Sequence, residues 1–244
     1  MVRGKSIVGN WATSLAFSLA VPLSAMAQDF RIQGRLFEID APRTKPLFTF
    51  TLSGHTLEGK YTRMETDYRD LDGVLTAHEK IGFRDGRLQS YAFEIPNQGE
   101  IGKMEIVDER MRFSWNKNGE VRTEEESVPE NLIVGPTIVP FLRENRERIL
   151  AGESLRARLA VLDRMETIGF RFTKVEEKMR DGRAVVMVRM RPSSFVVALV
   201  VKPLDFLVDK ETFRLLEYRG RTLPLRQETD GTWTALDVDA VYDP

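Results

Sequence analysis

The chain has 244 residues, 36 basic against 37 acidic, a formal net charge of −1, and no cysteine. Disulfides and thiolate metal sites are excluded. The balanced, interspersed charges lack the basic stripe of a nucleic-acid binder, so no nucleic-acid partner is expected.

The first residues read as an export signal. Arg3 and Lys5 form a basic start, residues 7–23 are mostly apolar, and Ala25-Met26-Ala27 gives the small-x-small pattern of a cleavage site. Cleavage after Ala27 would leave a chain starting at Gln28, which places the protein in the periplasm. The apolar run is shorter than the ~20 residues of a spanning helix. No cysteine follows it for lipid attachment, and no later stretch is long enough to cross a bilayer.

Residues 30–39 read as a first strand, with Gly34 marking a bulge or a close backbone approach. Residues 47–52 alternate threonine with large apolar residues, the pattern of a strand with one buried face. Residues 59–127 read as a meander of short strands. Its turns fall at Asp70–Gly73, Arg84–Gly86, Pro96–Gly99, Asp108–Glu109 and Asn116–Gly119. Asp-Gly and Asn-Gly between alternating runs are hairpin signals, because these residues accept positive φ at low cost. Residues 120–127 are polar and read as an edge, with Glu124-Glu125-Glu126 guarding it against unwanted pairing.

A helix is predicted next, over residues 136–150 of the stretch 131–152. Pro136 suits a first helical turn. Ile138, Phe141, Leu142, Ile149 and Leu150 recur at helical spacing, and Arg143, Glu144, Arg146 and Glu147 take the other face. Pro140 kinks its start, and Gly152 stands where a C-terminal cap belongs.

Strand patterns resume at residues 153–161, 165–175, 183–190, 204–209, 213–220 and 233–242. Pro192-Ser193-Ser194 can cap a short helical segment over residues 195–200. The count is roughly a dozen strands and one clear helix, without a fixed-period repeat. The fold class is mainly β with one central helix: a long curved antiparallel sheet forming an unclosed barrel wrapped round the helix. Residues 1–27 are assigned to the signal peptide and 28–244 to one β-rich domain.

Tyr68-Arg-Asp-Leu-Asp-Gly73, Phe83-Arg-Asp-Gly86, Val134-Gly-Pro-Thr-Ile-Val-Pro-Phe-Leu142, Leu150-Ala-Gly-Glu153, Met190-Arg-Pro-Ser-Ser194 and Glu217-Tyr-Arg-Gly220 resemble phrases of uncharacterised exported bacterial proteins. In architecture the chain resembles the periplasmic lipoprotein-carrier (LolA/LolB-like) superfamily. That resemblance implies an unclosed barrel that holds acyl chains in an apolar interior, with helices at its mouth. It implies no catalytic residue.

The residues give little catalytic chemistry. The two histidines, His55 and His78, are far apart, and a metal site needs three or four convergent ligands. No serine sits in a Gly-x-Ser-x-Gly elbow. No metal and no cofactor are expected. The uncharged run Phe195-Val-Val-Ala-Leu-Val-Val201 cannot alternate in and out of a one-sided sheet. With the helix it is assigned to the inner wall and lid of an apolar pocket. The candidate ligand contacts are Ile138, Phe141, Leu142, Phe195, Val197 and Leu199. The expected function is a non-enzymatic periplasmic carrier for a lipid or other apolar ligand. The alternative is an interaction module of the cell envelope, with a filled core and a protein partner recruited by strand addition.

Overall fold

The computed structural model describes residues 26–199 and 201–243. The predicted targeting segment, apart from its last two residues, lies outside them. The described residues form one mainly antiparallel sheet of fifteen strands. They are β1 (Ala27–Glu38), β2 (Phe48–Leu57), β3 (Lys60–Arg69), β4 (Leu75–Arg84) and β5 (Arg87–Ile95). Then follow β6 (Glu100–Val107), β7 (Arg110–Lys117), β8 (Glu120–Ser127), β9 (Leu132–Ile133) and β10 (Leu155–Val161). The last five are β11 (Glu166–Arg180), β12 (Arg183–Pro192), β13 (Leu204–Asp209), β14 (Leu215–Gln227) and β15 (Trp233–Tyr242).

Sequence neighbours pair almost throughout, because their turns leave no slack. Five hairpins close through two-residue loops with both residues at positive φ: Glu58-Gly59, Asp85-Gly86, Asp108-Glu109, Asn118-Gly119 and Asp181-Gly182. This backbone matches the right-handed twist of the flanking strands. Glu109 (φ 60°) is the one second-position residue among them that is not glycine. Relief of its left-handed strain exceeds the entropy that glycine adds to the unfolded chain. Glu109→Gly is therefore expected to stabilise the protein by about 0.5–1 kcal/mol, read as a higher urea midpoint.

The sheet order is β8 back to β1, then β15 back to β9, with β1 paired to β15 in the middle. The free edges are thus β8 and β9, which are consecutive in the chain. Residues 128–131 alone join them, so Ser127 and Leu132 are at most about 18 Å apart. The sheet must curl until its ends nearly meet. No backbone pairing joins β8 to β9, so the barrel is unclosed, but side chains clasp it. Thr167 of β11 donates its amide to both Glu126 oxygens at 3.2 Å and its hydroxyl to one at 2.8 Å. Arg158 of β10 holds Thr167 from behind, at 2.7 Å to the hydroxyl oxygen.

Glycines ease the curl. Gly34 faces Phe50, Gly54 faces Phe30 and Gly102 faces Phe93 across paired strands. In each pair the ring lies within 2.5 Å of where a glycine Cβ would sit. Gly34 therefore marks a close approach. An aromatic ring over a facing glycine fills the space a side chain would take and lets the sheet bend. Pro224 lies within the irregular stretch of β14 opposite β15, where a missing N–H breaks no regular pairing.

The helical segment differs from the continuous rod predicted. Gly135–Thr137 form a 3₁₀ turn, α1 runs Ile138–Glu144 and α2 runs Arg146–Leu150. Asn145 separates them at φ −102°, ψ 17°, and its side-chain amide donates to the Phe141 carbonyl at 3.0 Å. An asparagine that hydrogen-bonds the preceding turn competes with helical continuation. Gly152 (φ 85°) ends α2 as expected, and Lys174 of β11 donates to the Leu150 carbonyl at 2.7 Å. A cation there suits the negative end of the helix.

Both helices lie inside the curl. Ile138, Phe141, Leu142 and Ile149 pack on Phe172, Val186, Val188, Val208 and Leu215 of the C-terminal strands. Across the interior, Met64, Ile81, Met104, Met111 and Phe113 form a second cluster with Val134, Leu162 and Met165. Those last three come from the other end of the sheet, so this cluster seals the seam. A smaller one, Leu36, Phe50, Leu236, Val238 and Ala240, covers the middle strands. Among the described residues no helix is long and apolar enough to cross a membrane.

Candidate functional site

The space between these clusters is not filled. A cavity of about 1060 Å³ lies inside the curl. Inward-facing side chains of the N-terminal strands form one wall, with Phe30, Leu52, Met64 and Phe93. Leu204, Phe206, Leu215 and Tyr218 form the opposite wall, and Pro136, Ile138 and Val139 form the lid. The alternation of each strand places these residues on one face. Exposed Arg31, Arg143 and Arg221, interspersed with the exposed acids Glu144, Asp163 and Asp243, border the cavity where it meets solvent.

The six candidate contacts separate into three groups. Ile138 lines the cavity. Phe141 and Leu142 lie behind the lid in the packed core, with the Phe141 ring 5.3 Å from that of Phe172. The segment 195–199 corrects the expectation of an inner wall. Its short helix α3 (Phe195–Ala198) sits outside the cavity, with Phe195 78% and Leu199 70% exposed. Only Val197 of the three turns back against the core. The run is helical, so one side packs and the other is left exposed.

One polar group on the cavity wall was not anticipated. Glu79 on β4 is 5% exposed and lies between Ala77 and Ile81 on the inner face. Tyr91 donates its hydroxyl to one carboxylate oxygen at 2.6 Å, and Tyr68 donates to the other at 2.9 Å. Thr66, its partner across β3–β4, also lines the cavity. The signal was present in the sequence. A glutamate two residues from Ala77 and from Ile81 shares their apolar face.

Burial pushes the Glu79 carboxyl above its ordinary value, against the two phenol hydrogen bonds and nearby His78, which pull it down. Burial also raises Tyr68 and Tyr91 well above theirs, with the Glu79 charge adding to it. The folded chain thus holds the Glu79 proton at pH values where the unfolded chain has released it. The resulting stability is complete below the ordinary value of 4.5 and is lost as pH rises through the raised pKa. Glu79→Gln is expected to gain on the parent protein as pH rises above the ordinary carboxyl value of 4.5. Urea unfolding of both at a series of pH values checks this.

His55 and His78 sit apart, each against an aspartate: His55 Nδ1 is 2.8 Å from Asp29 and His78 Nδ1 is 2.6 Å from Asp67. Among the described residues, no three His, Asp or Glu side chains converge as metal ligands. The site offers shape and apolar surface, plus one buried acid.

No protein-family model matches the chain. No curated protein matches it. Among solved structures, it is similar to a β-barrel-like protein of a domain of unknown function, DUF1849, from Brucella abortus. The two share 10% identity over 87% of this chain and 97% of that one, with a TM-score of 0.48.

Proposed function

We propose that the protein is a non-enzymatic carrier that holds a lipid or other apolar ligand inside the curled sheet, and that it works in the periplasm after removal of residues 1–27. The observation that carries this reading is the cavity of about 1060 Å³ between apolar walls. It is of the size that drug-sized and larger ligands occupy. Each methylene buried there contributes about 0.8 kcal/mol, so an acyl chain of ordinary length binds on apolar burial alone. The architectural resemblance to lipoprotein carriers agrees with it, as does the mostly apolar lining. A filled interior would have favoured the interaction-module alternative.

The test is native mass spectrometry of protein purified from its own envelope, together with titration of an uncharged apolar dye such as N-phenylnaphthylamine. A co-purifying lipid and saturable one-site dye binding are expected. A ligand-free protein that leaves the dye dark would end the proposal.

A further inference from the structure

Three acids are buried among the described residues, and they differ in what compensates them. Glu100, 7% exposed, meets Lys117 at 3.0 Å and accepts from the Trp115 indole at 3.0 Å. Asp239, 7% exposed, meets Arg43 at 3.5 Å and Arg219 at 3.8 Å. Glu79, 5% exposed, meets no cation among the described residues and has only the hydroxyls of Tyr68 and Tyr91. It is also the one of the three that lines the cavity.

The chemistry of the cluster is one-sided. Each phenol donates its single proton to Glu79, filling one lone pair on each carboxylate oxygen. What the trio then presents to the cavity is lone pairs, on the carboxylate and on both phenol oxygens. A buried carboxylate without a cation is costly, and an incoming cation removes that cost. Gly135, in the lid turn, faces the same carboxylate, and its Cβ position is 3.6 Å from one Glu79 oxygen. Any side chain longer than a methyl would reach over the acid, so glycine keeps the approach open.

We propose that Glu79, Tyr68 and Tyr91 form a head-group subsite for a protonated primary amine carried on an apolar body. The amphiphile lies along the apolar walls with its ammonium at Glu79, away from the arginines at the cavity's border. This rests on the cavity being a ligand site, and it adds the head-group chemistry. An anionic head group has no place at Glu79 and would be left at the border, where Arg31 and Arg143 stand among Glu144, Asp163 and Asp243.

The test is calorimetric titration of the intact protein with decylammonium, decanol and decanoate, each below its micelle concentration. Hydrogen bonds to a charged group are worth about 1.5–3 kcal/mol, so decylammonium is expected to bind about 10- to 100-fold tighter than decanoate. Decanol should fall between the two on the parent protein, and Glu79→Gln should remove the amine's advantage over decanoate. The three-ligand comparison needs no variant, so it stands even where Glu79→Gln folds poorly. Equal or tighter binding of decanoate, or an amine affinity unchanged in Glu79→Gln, overturns the subsite while leaving the carrier reading intact. Binding of none of the three overturns both.

Discussion

Leu142→Ala is expected to destabilise the protein by about 3–4 kcal/mol, within the range for a fully buried leucine. Leu142 is 0% exposed and sits in α1 among Phe172, Val188 and Leu215. The expectation comes from the length of the helices as much as from the buried area. α1 has seven residues and α2 five, and helices this short do not persist in water unaided. They hold because Ile138, Phe141, Leu142 and Ile149 seat them in the curl. Removing the central anchor leaves a void among side chains that already pack tightly on strand neighbours, and these cannot collapse into it without moving the sheet.

On the carrier role proposed above, the same change should weaken ligand binding without touching the ligand. Pro136, Ile138 and Val139 form the lid of the cavity and lead directly into the Leu142 turn. A loosened α1 would admit water beside the ligand and forfeit part of the apolar burial. Urea unfolding should show a lower midpoint with an unchanged slope, and apolar dye should bind more weakly at concentrations where the variant is still folded. A loss under about 1 kcal/mol would mean that the helix is a loose appendage and not a lid.

How much of this was legible in the sequence can be judged from particular residues. The hairpins were legible at Asp85-Gly86 and Asn118-Gly119, because positive φ is a local demand that few residues meet. The polar edge was legible in Glu120–Ser127, because exposure leaves its mark on every residue of a strand. The helix was legible as an amphipathic period, but its break at Asn145 was not. That break depends on a side chain choosing the Phe141 carbonyl, and periodicity does not report such choices. The segment 195–199 was misplaced because apolar composition says that a run avoids water and not which neighbour covers it. Phe195 and Leu199 are exposed among the described residues. Glu79 was missed because a single acid within an apolar alternation is read as an interruption. Only the fold brings Tyr68 and Tyr91 to its two oxygens.

Closure is the feature least visible in sequence, and Gly102→Val tests it. Gly102 lies on the inner face of β6, toward one end of the sheet. Leu162 follows β10, toward the other. A Cβ on Gly102 would stand 2.8 Å from the Leu162 Cβ and 2.5 Å from the Phe93 ring. Neither neighbour has an easy retreat. Leu162 is 2% exposed, and its Cβ follows its backbone; Phe93 is 6% exposed, with its ring held over the glycine. Overpacking of this kind costs about 1–3 kcal/mol. The upper end is expected here, because the strain falls across a seam that backbone hydrogen bonds do not close. The first contacts to yield should be those of Glu126 with the amide and hydroxyl of Thr167. Hydrogen exchange should therefore speed up at the Thr167 amide before it does so within β4 or β12, and global stability should fall by about 2–3 kcal/mol. If Gly102→Val instead left Thr167 protected and stability unchanged, the two ends of the sheet would not be in contact, and the cavity they enclose would be an open trough.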